Sequence, residues 1–170
     1  MARRNWIILV VALQLLALAG VAGAKQWTLM TGTVILLETA PVDPRDLFRG
    51  DYVVLNYQIS RVPASLRSVD SASLYPGRTV YVGLERSGQF WEAASLDVSR
   101  PPGLFMKGRV SSSGSGEIIS VEYGIESYFV PEGMGRRIEA ARKSLTVEVA
   151  VSGGGTAIIR RVMMDGQPIR

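Results

Sequence analysis

The chain has no cysteine and no histidine. Without cysteine there is no disulfide framework and no thiol chemistry. Without histidine, the commonest general base, zinc ligand and physiological pH switch are gone. Any catalysis would rest on Asp, Glu, Lys, Ser or Tyr, and lysine is scarce, at positions 25, 107 and 143. Net charge is also small, at +4, with Arg3 and Arg4 supplying two of those charges. A nucleic-acid binder would be more basic, with cations interleaved with aromatics. The pairs Arg136-Arg137 and Arg160-Arg161 each fit a solvated face instead. No phosphate-cradling or dinucleotide fingerprint is present. No cofactor, no metal and no nucleic-acid partner is therefore expected. The 170 residues contain no internal repeat or domain-sized linker and suit a single domain.

The N-terminus is where apolar residues concentrate. "MARRNWIILVVALQLLALAGVAGAKQW" carries two arginines, an uncharged run from Trp6 to Ala24, then Lys25. A membrane crossing takes about 20 residues, and the run meets it. The flanking charges favour an N-terminus inside the cell. The segmentation that follows is a cytoplasmic n-region at 1–5, a transmembrane signal anchor at 6–24, a linker at 25–30 and an extracytoplasmic β domain at 31–170. The competing reading is a cleaved signal peptide, since Ala22-Gly23-Ala24 matches the A-x-A cleavage pattern. Ala19 with Gly23, and Gly20 with Ala24, are small pairs four apart that allow close helix packing, and Gln14 offers a hydrogen bond across such an interface.

Beyond Gln26 the chain reads as strands rich in Val, Ile, Tyr and Thr. The expected strands are Leu29–Glu38, Asp51–Ser60, Thr79–Arg86, Gln89–Val98, Leu104–Ser111, Glu117–Tyr123, Glu126–Val130, Leu145–Ser152 and Thr156–Met164. Ser87-Gly88 predicts a tight hairpin. "SSSGSG" at Ser111–Gly116 and "SGGG" at Ser152–Gly155 predict Gly-rich loops. The stretch from Ser60 to Gly77 reads as irregular. This spacing predicts an all-β fold, an antiparallel β-barrel or sandwich. One helix is expected in "PEGMGRRIEAARK", where Met134, Ile138 and Ala141 share a face. It would plug an open end of the barrel or dock a partner.

The stretch "PRDLFRGDYVVLNY", Pro44 to Tyr57, carries the densest polar pattern. Asp43 suits a helix cap, Pro44 the first helical position, and Asp46 the free N–H groups. Gly50 suits a left-handed residue that closes the turn. In the following strand Val53, Leu55, Tyr57 and Ile59 share an apolar face, with Tyr52 on the other. The charges left over, Asp43, Arg45, Asp46, Arg49 and Asp51, form either a solvated salt-bridged surface or a polar docking face.

An enzymatic reading meets an obstacle here. The pattern Leu47-x-x-Gly50-Asp51 resembles the segment after the nucleophile in membrane-anchored signal peptidases, which use a Ser nucleophile with a Lys base. Aligning it places Val42 where the serine belongs. Lys107 and Lys143 lack that family's local context. What the resemblance leaves is a distant, catalytically inactive relationship of fold.

A closer resemblance spans nearly the whole chain. "GDYVVLNY", Gly50 to Tyr57, matches the GDYXXLXY motif in full, at Gly50, Asp51, Tyr52, Leu55 and Tyr57. The upstream "PVDPRDLFRG" and the downstream "YGIESYFVPEG", Tyr123 to Gly133, are similar to further signature stretches of the same bacterial family. That family is functionally uncharacterised. Its members resemble small membrane-anchored proteins that occur beside, or fused to, polytopic membrane proteins. The resemblance implies an accessory or partner-binding role in the bacterial inner membrane and supplies no catalytic residues.

In the second signature, Tyr123, Gly124, Glu126, Tyr128, Phe129 and Glu132 stand out. Gly124 should break or bulge a strand. Glu126, if buried, would need a cation such as Arg45 or Arg49. Both signatures combine Gly, Tyr and an acid at a strand boundary, so they are expected to be neighbours in space. Two function classes follow. The first is a non-catalytic extracytoplasmic module that binds or stabilises a polytopic membrane protein. The second is a hydrolase or ligand-binding β domain built on the carboxylates Asp43, Asp46, Asp51, Glu126 and Glu132.

Overall fold

The computed structural model describes residues 2–40, 52–68, 73–113, 117–129, 145–164 and 166–169. Helix α1 (Ala2–Thr31) opens the chain and strand β1 (Thr33–Glu38) follows after a single residue. Ten strands come next: β2 (Tyr52–Val54), β3 (Arg61–Pro63), β4 (Thr79–Ser87), β5 (Phe90–Asp97), β6 (Phe105–Ser113), β7 (Ile118–Glu122), β8 (Ser127–Phe129), β9 (Thr146–Val151), β10 (Ala157–Met164) and β11 (Gln167–Pro168).

Within α1, the span Arg4–Thr31 holds an 18-residue window with a mean hydropathy of 2.5, none of it buried. Its 28 residues make a rod of about 42 Å, longer than the roughly 30 Å hydrocarbon core of a bilayer. It is long and apolar enough to cross a membrane. Gln14, Ala19, Gly20 and Gly23 all lie on its exposed surface, and a side chain at either glycine would meet open space. Residues 25–30, expected as a linker, are helical. The expected first strand accordingly begins at Thr33, with residues 29–31 completing the helix.

The helix runs directly into the β domain. Thr28 is buried at the junction, where the end of α1 lies against β9 and β10. Its hydroxyl is satisfied within the helix by donating to the Ala24 carbonyl at 3.1 Å. The Gly32 N–H donates to the Thr28 carbonyl at 2.9 Å and closes the last turn. Gly32 is needed for close approach: a Cβ there would lie 2.5 Å from the Thr28 carbonyl oxygen and 3.0 Å from that of Val151.

The β domain is a nearly closed, mostly antiparallel barrel. One sheet has the order β1-β9-β10-β11 and another β3-β7-β6-β4-β5, while β2 and β8 form a short pair. The five-stranded sheet curls back on itself. Residues 61–63 pair with β7, and the same segment reaches β5 a few residues later through a parallel bridge of Arg67 with Leu96. The Ser68 N–H seals that contact by donating to the Leu96 carbonyl at 3.0 Å. Strand β1 lies along β5 and brings the two larger sheets together. Alternation fills the interior: Val80 and Val82 of β4, Leu96 of β5, Met106 and Val110 of β6, and Val147 and Val149 of β9 are buried in one cluster. Burying a side chain of this size stabilises the fold by about 1.5–3 kcal/mol.

The expected strands are present with shifted ends. The run Asp51–Ser60 is a strand only at 52–54; it then leaves the ladder and ends in a 3-10 turn at Gln58–Ser60. The stretch from Ser60 to Gly77, expected to be irregular, contains β3. Its proline at position 63 lowers the strand signal, yet Pro63 sits at the end of a three-residue pairing. The hairpin expected at Ser87-Gly88 turns one residue later, on Gly88-Gln89, with Gly88 at a φ of 61°. The expected helix at residues 131–143 lies outside the described residues, as does the charged stretch Asp43–Asp51.

A tyrosine-latched corner as the candidate functional site

The two signature stretches meet. Strand β2 pairs antiparallel with β8, aligning Tyr52 with Phe129 and Val54 with Ser127. The contact continues where Leu55 donates its N–H to the Glu126 carbonyl at 2.7 Å. The chain then turns toward the end of β1. Ala40 donates to the Asn56 carbonyl at 2.7 Å, and Thr39 forms an antiparallel bridge with Tyr57. The first signature therefore joins the β1 sheet on one side to β8 on the other.

Two buried phenols tie the corner crosswise. Tyr57 is 0% exposed, and its hydroxyl donates to the Ile125 carbonyl at 2.7 Å. The Tyr123 hydroxyl donates to the Ile59 carbonyl, also at 2.7 Å. Each stretch thus sends one tyrosine to a backbone oxygen at or beside the other. Leu55, Ile59 and Ile125 pack around them in the core. This matches the face expected from alternation, with Leu55, Tyr57 and Ile59 all inward. A buried tyrosine needs a partner for its hydroxyl, and here the partners are the carbonyls of Ile125, in the turn between β7 and β8, and of Ile59, in the 3-10 turn.

Burial drives both phenols well above the usual tyrosine range, and the Glu126 carboxylate adds to the shift in each case. Both hydroxyls therefore remain protonated donors throughout the neutral range. They hold the corner and supply no general base.

Glu126 caps the turn between β7 and β8. Its carboxylate accepts from the Tyr123 N–H, and from the Gly124 N–H at 2.8 Å. Gly124 has a φ of 81°, the left-handed conformation that glycine adopts without strain. The strand break expected at Gly124 is this turn. Glu126 is half-buried, and its described hydrogen bonds go to backbone of its own turn, so it acts as a local cap. Arg45 and Arg49, the expected cation partners, lie outside the described residues.

Of the remaining candidates, Tyr128 packs against the core and Phe129 is exposed. Only the backbone of Tyr52 is described. Asp43, Arg45, Asp46, Arg49, Gly50, Asp51 and Glu132 lie outside the described residues, as does Val42. Among the described residues, no group of three or more carboxylates is placed to hold a metal ion. Sequence reasoning missed Thr39 and the role of the Ile59 carbonyl. Thr39 is buried and donates its hydroxyl to the Leu145 carbonyl at 2.8 Å, and Ile59 presents its carbonyl to Tyr123. The alternation of the strand marked Ile59 as core but could not signal its carbonyl role.

A family model described as GDYXXLXY protein matches residues 14–162, most of the chain. The chain belongs to the GDYXXLXY family. The motif that gives the family its name, Gly50 to Tyr57, includes β2 and ends at the first latch tyrosine. No curated protein and no solved structure matches the chain. In this GDYXXLXY protein Leu55 and Tyr57 serve the interior, which assigns a folding role to two of the five defined motif positions.

Proposed function

We propose that this chain is a membrane-anchored accessory protein whose β domain, outside the cytoplasm, binds or stabilises a polytopic membrane protein. The role is one of binding, without catalysis. The observation that carries this reading is the corner: both signature stretches converge on it, and crossed tyrosines fix its shape from inside. Leu55, Tyr57 and Tyr123 are consumed by the core, which leaves recognition to the charged positions of the signature, Asp43, Arg45, Asp46, Arg49 and Asp51 in sequence. The membrane-length helix that enters β1 supports the location, and Arg3 and Arg4 ahead of it favour an N-terminus inside the cell and the domain on the periplasmic side.

The test is purification of the tagged full-length protein from native membranes in mild detergent, with mass spectrometry of what accompanies it. The expected result is a stoichiometric polytopic partner that is lost from Asp46→Asn, Arg49→Ala or Asp51→Asn variants that remain folded. A protein that emerges alone after gentle extraction and in-membrane crosslinking would overturn the accessory reading.

A further inference from the structure

A second surface, sharing no residue with the latch, is built around Arg78. The segment Tyr75-Pro76-Gly77-Arg78 forms a tight turn. Arg78 donates its N–H to the Tyr75 carbonyl at 3.0 Å, proline occupies the second position, and Gly77 at the third has a φ of 86°. This is the type II pattern. The turn is pinned to β6 on both sides: the Gly77 N–H donates to the Val110 carbonyl at 2.7 Å, and the Val110 N–H donates to the Arg78 carbonyl at 2.9 Å. Leu74, immediately before it, is buried in the core. The backbone under Arg78 is thus fixed before any ligand arrives.

The side chains above it form an open cleft of about 350 Å³, lined by Tyr75, Gly77, Arg78, Thr79, Tyr81 and Val98. The Arg78 guanidinium lies 5.8 Å from the centre of the Tyr75 ring and makes one long hydrogen bond, 3.4 Å, to the Tyr75 hydroxyl. Most of its five donors are left for other partners. Two more cations flank the cleft on the same face of the sheet, since Lys107 is paired with Tyr81 and Arg109 with Thr79. None of the three has a carboxylate partner among the described residues, where the ion pairs are those of Glu148. Two acids share the face and limit its reach. Glu122 is opposite Arg109, and Asp97 is opposite Tyr81 with its carboxylate already accepting from the N–H and hydroxyl of Ser99. The face therefore suits a small anion that meets Arg78 and not an extended polyanion. Tyr75 is 54% exposed and offers a ring surface beside the guanidinium.

We propose that this cleft binds a small oxyanion carried on a ring, a carboxylate or phosphate that takes the Arg78 fork while the ring lies on Tyr75. The guanidinium fork matches such groups with two parallel hydrogen bonds. The test uses the full-length chain in a zwitterionic detergent with nitrogen-15 arginine. The side-chain Nε–H signals are followed as phenyl phosphate, inorganic phosphate, benzoate and acetate are added. The expected result is a saturable shift of the Arg78 signal in the millimolar range, with phenyl phosphate and benzoate binding more tightly than the ringless anions. Arg78→Gln should weaken binding by about tenfold or more, and Arg78→Lys, which keeps the charge but not the fork, by less. Tyr75→Leu should remove the preference for ringed anions. Arg160→Gln, away from the cleft, should change nothing. A repeat in nanodiscs of anionic lipid without added anion separates the sources: a shifted Arg78 signal there marks a lipid headgroup as the ligand, and an unshifted one marks a free solute. The absence of any saturable shift at Arg78, or equal weakening by Arg78→Gln and Arg160→Gln, would overturn the proposal.

Discussion

Replacing Tyr57 or Tyr123 by phenylalanine is the most direct perturbation of the corner. The ring stays in its pocket and one hydroxyl is removed. In Tyr57→Phe the Ile125 carbonyl loses its described partner; in Tyr123→Phe the Ile59 carbonyl does. A hydrogen bond of this kind contributes about 1 kcal/mol net, and a buried acceptor left unpaired costs about 1–3 kcal/mol. Each single variant should therefore lose about 1–3 kcal/mol, and each kcal/mol lowers the Tm of a chain this size by about 2–4 °C. The two bonds brace the same corner, so once one is gone the other holds less. The double variant should lose less than the sum of the singles, with a coupling of about 0.5 kcal/mol or more. A second signature is alkaline. Burial first, and the Glu126 charge second, raise both phenols in the folded state, whereas an unfolded tyrosine ionises near pH 10. The stabilisation is fully present below about pH 10 and is lost as the pH rises beyond it, at about 1.4 kcal/mol per pH unit for each phenol. Together they should steepen the loss by about 2.7 kcal/mol per pH unit, and each phenylalanine variant should remove half of that slope. Thermal unfolding of the full chain in detergent, followed by circular dichroism from about pH 8 to about pH 11, reads both effects. If both single variants stay within about 0.5 kcal/mol of the parent with an unchanged alkaline slope, the latch does not hold the corner.

Three further changes have clear expectations. Glu126→Ala removes a charged acceptor from two backbone N–H groups and should cost about 1.5–3 kcal/mol in thermal unfolding, with Glu126→Gln costing less because one acceptor oxygen remains. Gly32→Val forces a side chain against two backbone carbonyls that cannot move aside, and should cost about 1–3 kcal/mol; an unchanged Tm would show that the junction has slack. Ser60→Ala goes the other way: the Ser60 hydroxyl is buried with no partner among the described residues, so its removal should be neutral or should stabilise by up to about 1 kcal/mol, and a clear loss by the same assay would mean that the hydroxyl has a partner, such as an ordered water.

Much of this architecture was legible from short-range pattern. Alternation found the long strands because one face of each meets the core, and the motif positions Leu55 and Tyr57, with Ile59 beyond them, were correctly placed inward. Contrasts in composition located the helix, but not its end. Residues 25–30 carry polar groups that read as linker, yet Thr28 turns inward and satisfies its hydroxyl within the helix. Strand β3 escaped detection because three residues carry no period and one of them is proline. The adjacency of the two signatures was foreseen from their shared chemistry. The crossed phenols were not, since Tyr57 and Tyr123 are separated by 66 positions and each partner is a carbonyl, a group every residue has. Glu126 was expected to seek an arginine; its described partners are the nearest backbone donors, which a glycine in the left-handed conformation brings within reach.

With one residue between α1 and β1, and Thr28 buried where α1 meets β9 and β10, the helix in its proposed role as anchor would set bearing as well as distance. A helix advances 100° per residue, so the compass direction in which the β domain faces around the membrane normal is fixed by the helix phase. One residue added within the helix would swing the corner about a quarter of the way round and raise it only about 1.5 Å. Seven would restore the direction to within about 20° while lifting the domain about 10 Å. Any surface that meets a neighbour in the same bilayer is therefore aimed by the number of residues in α1, as a key is aimed by the cut of its shaft.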